Sequence, residues 1–339
     1  MRNKTTGIRR ELLVQVACWL YTASVIVAWL VMRLLGDRRW AASVAMLFGP
    51  RWVWLVPLAL LVPLAAAVRR RSLWLLLFTA GIVLFPVMGL CVPWRIAKIG
   101  PSSSNAAAPK VRLLTCNVHF AALDSKALSA FISSTNPDIV ALQEWTSRHR
   151  AELFGKGGWY RWRSNELYVA SRYRIRRATD ISEDWDDPGS AVCFEIETPG
   201  GTVRLVNLHL ASPHHQFEHV LNMSSAGPSE VLQNIAARQS QSQSVQQRCK
   251  DWAPGLIVAG DFNTPQESPI FRSCWIDFSD AFSSAGWGFG YTYYARLTIA
   301  RIDHILFGAD WRCLRCWVGP DVGSPHRPVI ADLQMQSPL

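Results

Sequence analysis

The feature that most constrains this chain is a set of long, charge-free apolar runs, all within the first hundred residues. They cover residues 12–32, 52–68 and 72–94. A helix rises about 1.5 Å per residue, so about 20 residues cross the hydrocarbon core of a bilayer, which is about 30 Å thick. Tryptophans near the run ends are typical of the membrane interface. The pattern predicts a membrane anchor over residues 1–99 with three transmembrane helices, in a multi-pass protein of the cell membrane.

The positive charge of the chain lies in the same region. The formal net charge is +10, but the first 100 residues hold 13 Lys and Arg against two acidic residues. The remainder holds 22 Lys and Arg against 23 acidic residues, a net charge of −1. A domain with this balance lacks the basic surface that grips nucleic-acid phosphates, so nucleic acid is a less favoured partner. Basic residues flanking the runs divide seven against six between the two sides, so charge leaves the orientation open.

The rest of the chain predicts a linker and one α+β domain. Residues 100–109 (G-P-S-S-S-N-A-A-A-P) are small and polar, as in a linker. Asp124 can cap a helix that ends before Asn136, and Pro228 opens a longer helix. Short apolar runs predict strands at 111–117, 139–143, 167–171, 192–196, 203–210, 256–260, 302–307 and 328–333. Many strands with few helices predict packed sheets covered by helices over residues 110–339.

Polar residues able to bind a metal or a phosphate follow these strands repeatedly. They are Asn117, Gln143, Glu144, Asn207, His209, Asp261, Asn263 and Asp303, and His326 stands just before the last strand. One such residue alone more often caps a turn. Their joint occurrence favours a site, because rigid strands ending in carboxylates, amides and histidines hold a hard cation and a phosphate in fixed geometry.

These residues carry a resemblance to the endonuclease/exonuclease/phosphatase superfamily, which has the DNase-I-like fold. The motifs occur in family order as T-C-N-V at 115–118, D-I-V-A-L-Q-E at 138–144, N-L-H at 207–209, G-D-F-N-T-P at 260–265, R-I-D-H-I at 301–305 and H-R-P-V at 326–329. With apolar helices before it, the chain also resembles a bacterial membrane-anchored subgroup that includes the teicoplanin-resistance membrane phosphatases. The resemblance implies a four-layer α/β/β/α sandwich and a catalytic domain outside the cell membrane.

The resemblance also implies how a phosphoester is attacked. Glu144 would be the principal Mg²⁺ ligand, with Asn117 beside it, and Mn²⁺ is the alternative ion. Asp261 would orient or deprotonate the attacking water, while Asn263 positions the phosphate. A cation that neutralises spreading charge suits this chemistry.

The remaining implied roles belong to histidines and substrate contacts. His209 would donate to a phosphate oxygen. Asp303 would hold His326, whose imidazole stabilises the developing negative charge. Arg172 matches a family position near the site, and with Asn207 it is assigned to substrate binding.

One position departs from the family pattern. Members commonly have Asp directly before the last histidine, where this chain has Pro325. The lost carboxylate can contribute to metal binding, so one metal or two remains open. The predicted function is a membrane-anchored, Mg²⁺-dependent phosphoesterase acting on a phosphorylated lipid, a head group or a phosphodiester. The alternatives are a nuclease and an inactive module that binds phosphorylated ligands; the substrate and the oligomeric state stay open.

Overall fold

The computed structural model describes residues 2–93, 109–120, 123–146, 151–154, 157–186, 189–295 and 298–336. Its helices are α1 (Arg2–Leu34), α2 (Trp40–Ala42), α3 (Val56–Val68), α4 (Ser72–Ile82), α5 (Ser125–Thr135), α6 (His214–Leu221), α7 (Gly227–Arg248), α8 (Pro269–Cys274) and α9 (Ala281–Ala285). Its strands are β1 (Lys110–Asn117), β2 (Ile139–Gln143), β3 (Tyr160–Ser164), β4 (Leu167–Ser171), β5 (Arg174–Asp180), β6 (Ser190–Thr198), β7 (Gly201–His209), β8 (Leu256–Asp261), β9 (Ser279–Asp280), β10 (Tyr293–Ala295), β11 (Thr298–Ala300), β12 (Asp303–Phe307), β13 (Trp311–Val318) and β14 (Val329–Met335). Every predicted strand is present.

Two helical stretches of the described residues are long and apolar enough to cross a membrane. The first is Ile8–Leu34, within α1. The second is Arg51–Val68, where a 3₁₀ turn leads into α3. This finding rests on length and composition, which the core helix of a soluble protein can also satisfy.

The prediction of a third span is wrong. In the run 72–94, the apolar helix covers only Ser72–Val87, which is shorter than the two candidate spans. Pro86 lies in its last turn, Gly89 takes a left-handed φ of 78°, and Cys91 pairs with Gly288 of the strand-rich domain. The run is free of charge over its full length, but proline and left-handed glycine end the helix early. The predicted linker at 100–109 lies outside the described residues except for Pro109, and the predicted domain boundaries stay predictions.

Two six-stranded sheets pack face to face. The first sheet has the order β13-β14-β1-β2-β4-β3, and the second has the order β5-β6-β7-β8-β12-β9. Buried side chains such as Leu113, Phe194 and Ile305 fill the space between them. On the outer faces, α5 packs on the first sheet and α7 on the second. The predicted sandwich of sheets covered by helices is therefore confirmed.

Local sequence explains the ends of α5. The carboxylate of Asp124 accepts hydrogen bonds from the main-chain N–H groups of Lys126 and Ala127, at 3.0 and 3.1 Å. Asn136 closes the helix in the left-handed conformation, with φ of 44°. Asp and Asn favour these two positions because they cap a helix start and tolerate positive φ, respectively. Both predicted ends of this helix are confirmed.

The strand pairings bring the chemistry-bearing residues to one edge of the sandwich. In the parallel pair β1 and β2, Asn117 lies opposite Gln143. In the second sheet, Asp261 lies between His209 on β7 and Asp303 on β12. Because parallel strands end at the same edge, these pairings gather the polar strand ends from both sheets.

The helical region contacts the sandwich next to that edge. Met32 at the end of α1 packs with Leu47 and Phe48 against Ala300 and Ile302. Ile302 directly precedes Asp303 at the start of β12. The end of the first candidate span therefore packs beside the start of β12, where Asp303 lies.

Candidate active site

One amide links carboxylates that come from opposite sheets. Nδ2 of Asn117, at the end of β1, donates to Oε1 of Glu144 at 2.8 Å and to Oδ2 of Asp261 at 3.0 Å. The side-chain oxygen of Asn117 accepts from the N–H of His119 at 2.9 Å. Glu144 follows β2 with a left-handed φ of 55°. In this arrangement Asn117 holds two carboxylates together, and its role as a metal ligand stays a prediction.

Asp261 lies at the centre of the site. Its side chain is buried, and Oδ1 accepts from the N–H of Asn263 at 2.8 Å. Its Oδ2 lies 3.7 Å from Nε2 of His209 and 3.8 Å from Nε2 of His326. Burial and the charge of Asp303 raise the pKa of Asp261, against the opposing effect of the two histidines. A carboxylate with a raised pKa is a stronger base than an exposed one, as a water-activating group requires.

His209 pairs with a glutamate that sequence reasoning missed. Its Nδ1 lies 2.9 Å from Oε1 of Glu166, which also accepts from the hydroxyl of Ser190 at 3.2 Å. Burial alone lowers the pKa of His209, but the carboxylates of Glu166, Asp261 and Glu144 outweigh it and raise this pKa to about 9. The imidazole is therefore protonated at neutral pH. Its Nε2 is buried with no hydrogen-bond partner among the described residues, so a proton there can be donated to a phosphate oxygen.

His326 forms the second imidazole–carboxylate pair. Its Nδ1 lies 3.1 and 2.9 Å from the two carboxylate oxygens of Asp303. Burial opposes protonation, but the charges of Asp303 and Asp261 outweigh it and raise the pKa of His326. The predicted contact between Asp303 and His326 is present. Such a pair fixes which ring nitrogen faces the carboxylate and leaves Nε2 turned towards Asp261.

The chain presents His326 although Pro325 replaces the expected acid. The hydroxyl of Ser324 donates to the main-chain oxygen of Asn117 at 2.7 Å and accepts from the N–H of His326 at 3.1 Å. The main-chain oxygen of Pro325 accepts from the N–H of Tyr294 at 2.9 Å. Three hydrogen bonds thus hold this segment without a carboxylate at position 325.

Asn263 is positioned through both its main chain and its side chain. It takes a left-handed φ of 46°, and its Nδ2 donates to the main-chain oxygen of Leu210 at 2.8 Å. Its main-chain oxygen accepts from the guanidinium of Arg238, a buried residue of α7. Its predicted contact with a phosphate stays a prediction.

The structure does not bring the two predicted substrate-binding residues to the surface of the site. Asn207 is buried beneath His209, where its oxygen accepts from Gln143 at 2.6 Å and its amide donates to two main-chain oxygens. Arg172 follows β4, which runs antiparallel to β2 and pairs Ser171 with Ile139. It is therefore at the opposite end of the sheet from Glu144, stacked 4.0 Å from the ring of Trp159.

The same antiparallel register explains how Glu166 reaches the site. It directly precedes β4, so its side chain lies beside the end of β2. Glu166 does not follow an apolar strand, so the pattern of polar residues after apolar strands does not include it. The hairpin formed by β3 and β4 could have indicated Glu166, because it brings the start of β4 back to the edge of the sheet where β2 ends.

Two overlapping donor sets could hold a cation. Glu144 and Asp261 converge on the amide of Asn117, and carboxylate oxygens are the ligands that hard cations such as Mg²⁺ prefer. Asp261, Asp303 and His326 also offer ligand atoms within 4.8 Å of one another. In this second set both oxygens of Asp303 are already bonded to His326. The first set fits a hard cation better because it leaves the Asp303–His326 pair intact.

The fold and the site together define a metal-dependent hydrolase of phosphoester bonds. Two imidazoles and a cluster of buried carboxylates meet at one edge of two packed sheets. Residues 114–326 match the model of the Endonuclease/Exonuclease/phosphatase family, and the chain belongs to this family. No curated protein sequence matches the chain significantly.

Solved structures share the fold at low sequence identity. A family member from Bacteroides thetaiotaomicron is 16% identical with a TM-score of 0.54, covering 68% of this chain and 99% of that chain. The mannosyl-6-phosphatase of B. thetaiotaomicron VPI-5482 is 16% identical with a TM-score of 0.53, over 66% and 99%. D. rerio TDP2 complexed with a single-strand DNA product is 16% identical with a TM-score of 0.50, over 66% and 98%. At this identity the similarity shows the fold alone.

Proposed function

We propose that this protein is a membrane-attached, Mg²⁺-dependent phosphoesterase whose substrate is a phosphorylated lipid or lipid head group. The observation that carries the catalytic part is the position of Asp261, whose buried Oδ2 lies within 3.8 Å of two imidazole Nε2 atoms. Each imidazole is held by its own carboxylate, Glu166 or Asp303. This arrangement places a base and two proton-bearing groups around one point, as attack by water on a phosphoester requires.

In the proposed reaction each side chain has one task. Glu144, with Asn117 beside it, would hold Mg²⁺, which when bound neutralises charge on the phosphoryl group. Asp261 orients the attacking water and accepts its proton. Nε2 of His209 donates to a phosphate oxygen, because the raised pKa keeps it protonated. His326 faces the same point from the other side and stabilises the negative charge that develops as the ester bond breaks.

The position of the site next to the helical region supports a membrane-linked substrate. Met32, at the end of the first candidate span, packs in one cluster with Ile302 and Tyr293. The ring of Tyr293 lies 4.9 Å from the ring of His326. A phosphate carried at the membrane surface would therefore meet the site close to where α1 leaves the bilayer. The net charge of −1 of residues 101–339 supports this reading over a nucleic-acid substrate.

Exposed apolar side chains support membrane attachment. Leu13 on α1, Leu60 on α3 and Trp74 on α4 are 69%, 69% and 77% exposed. Large apolar patches of this kind mark surfaces that another apolar phase covers. A catalytic domain outside the cell membrane is part of the proposal, and the resemblance to the membrane-anchored subgroup is its only support.

A phosphate-release screen on the full chain in detergent tests the function. The substrates are a lipid phosphate, a lipid pyrophosphate, a phosphodiester and single-stranded DNA, each with Mg²⁺, with Mn²⁺ and with EDTA. We expect metal-dependent release that is fastest on the lipid phosphates. Faster cleavage of DNA would favour the nuclease, and binding of the phosphorylated compounds without release would favour the inactive module.

A further inference from the structure

The segment that follows β8 carries the residue that holds the catalytic carboxylate. This segment, residues 262–268, contains Asn263, whose N–H donates to Asp261. It ends at Ser268, which caps α8 by accepting from the N–H of Phe271 at 3.2 Å. A residue other than glycine at positive φ, such as Asn263, is kept there by its surroundings. The contacts of the segment 262–268 therefore decide where the Asp261 carboxylate points.

A buried arginine is the main contact of Asn263. Arg238 is only 1% exposed and donates to the main-chain oxygen of Asn263. Its Nε and one Nη have no hydrogen-bond partner among the described residues. A buried guanidinium with unpartnered N–H groups requires a counter-charge nearby, because the low-dielectric interior does not solvate its charge.

Two carboxylates, Asp37 and Asp261, act on this charge, and Asp37 comes from outside the sandwich. Asp37 lies in the connection between α1 and α3, is 2% exposed, and accepts from the hydroxyl of Ser268. Burial lowers the pKa of Arg238, and Asp37 opposes this effect. Burial raises the pKa of Asp37, and Arg238 opposes this effect in turn. Asp37 and Arg238 do not contact each other directly, so the contact across the boundary between the helical region and the sandwich is the hydrogen bond from Ser268 to Asp37.

An ion pair from the same connection holds the segment near its end. The guanidinium of Arg51 lies 2.9 Å from the carboxylate of Glu267. Arg51 also donates to the main-chain oxygens of Leu47 and Val87, at 2.8 and 3.3 Å. Gly36 contributes a close approach, since a Cβ at this position would come within 2.6 Å of Pro269. The α1–α3 connection therefore lies along the segment 262–268 and contacts it at several points.

We propose that Asp37 and Arg238 are positioning residues for the hydrolysis, each acting on Asp261 through its own contact with the segment 262–268. Asp37 holds the hydroxyl of Ser268 at the end of this segment, and Arg238 holds the carbonyl of Asn263 within it. The N–H of Asn263 in turn holds Oδ1 of Asp261. The α1–α3 connection is on this account part of the catalytic unit as well as part of the anchor. The inference rests on the proposed function for the role of Asp261.

The variant Asp37→Asn in the full chain tests the proposal. Asparagine keeps the size of the side chain but replaces the buried carboxylate that accepts from Ser268 with a neutral amide, which is a weaker acceptor. We expect kcat to fall by about tenfold or more while KM changes by less than about threefold, because a small displacement of a catalytic group slows chemistry without removing substrate contacts. Hydrogen exchange should accelerate in residues 262–268. The matched control is Asp277→Asn, an exposed carboxylate after α8, which should leave kcat and exchange unchanged.

A double-mutant cycle separates positioning from general destabilisation. We expect Arg238→Gln to lower kcat, and the double variant to lose about as much as the worse single variant, because coupled residues are not additive. A Tm that falls in Asp37→Asn while kcat per folded molecule stays within about twofold of wild type would overturn the proposal, as would additive effects in the cycle.

The exchange measurement distinguishes this inference from the proposed function. A wild-type chain that releases no phosphate in the screen contradicts the phosphoesterase. Accelerated exchange at residues 262–268 in Asp37→Asn would still support the positioning contact, and unchanged exchange would overturn it.

Discussion

Single side chains of the site depend on one another for their protonation. Burial and the charge of Asp303 raise the pKa of Asp261, and Glu166 raises the pKa of His209 against the effect of burial. Each buried charge here has a partner of opposite sign, which is what makes its burial tolerable. Replacing one member of a pair should therefore change the chemistry of the other.

The variant Glu144→Gln tests which of the two donor sets holds the cation. The change keeps the shape of the side chain but removes the charge that would hold Mg²⁺. We expect activity to fall by about 10²-fold or more, with a higher Mg²⁺ concentration needed for half activity and little change in Tm. A Mg²⁺ titration of activity checks this, with the exposed Glu183→Gln as control. An unchanged titration would instead favour the set formed by Asp261, Asp303 and His326.

Glu166→Gln should lower the pKa of His209 from its value of about 9. The folded state binds this proton more tightly than the unfolded chain, whose histidine titrates near 6.5. The resulting stability is complete below that pH and is lost as the pH rises through about 9, so the variant should lose the most stability below about pH 6.5 and progressively less towards pH 9. An NMR titration of labelled histidine in metal-free protein measures the pKa. Glu218→Gln, an exposed carboxylate, is the control, and an unmoved His209 resonance would contradict the pairing.

At the scale of elements, the pairing of β7 with β8 positions the site. It places His209 opposite Asp261, and in the preceding pair Leu208 lies opposite Gly260. Gly260 has a φ of 145°, and a Cβ there would lie 1.9 Å from the main-chain oxygen of Leu208. No side chain fits at that distance, so the glycine is required by the close approach of the two strands.

We therefore expect Gly260→Ala to disturb both stability and activity. The clash is with main chain, which cannot move aside without breaking the strand pairing. The Tm should fall by about 5–10 °C, as a loss of about 2–4 kcal/mol would produce in a domain of this size. A thermal melt of the full chain measures it. Gly157→Ala is the control because a Cβ there meets no atom within 4 Å; equal melting of the two variants would argue against the close approach.

At the scale of the whole molecule, the proposed membrane attachment rests on the helical region. The exposed apolar faces of α1, α3 and α4 predict that the full chain stays in the membrane fraction after alkaline carbonate extraction, because burying these faces in lipid is favourable. A chain beginning at residue 109 is the control and should be released. Recovery of the full chain in the soluble fraction would contradict membrane attachment.

The outward orientation has its own measurement. Alkaline phosphatase fused after Leu339 is active only when exported, so we expect an active fusion. A dead phosphatase fusion together with a bright fluorescent fusion at the same residue would put the catalytic domain inside.

The sequence by itself determined eight of the fourteen strands of the described residues and the polar residues that stand at their ends. Apolar runs ending in a polar residue, as at Asn117, Glu144 and Asp261, are local patterns, and burial of such runs follows from composition alone. The cap at Asp124 and the left-handed Asn136 are local for the same reason. These features need no knowledge of which strands become neighbours.

Only the tertiary structure decided which of these residues meet. Strand register moved Arg172 to the far end of the first sheet and brought Glu166 to His209, because one antiparallel pairing reverses the direction of β4. The burial of Asp37 against Ser268 depends on a contact between segments far apart in sequence. Such contacts are set by packing between elements, and hydropathy and residue spacing along the chain do not specify that packing.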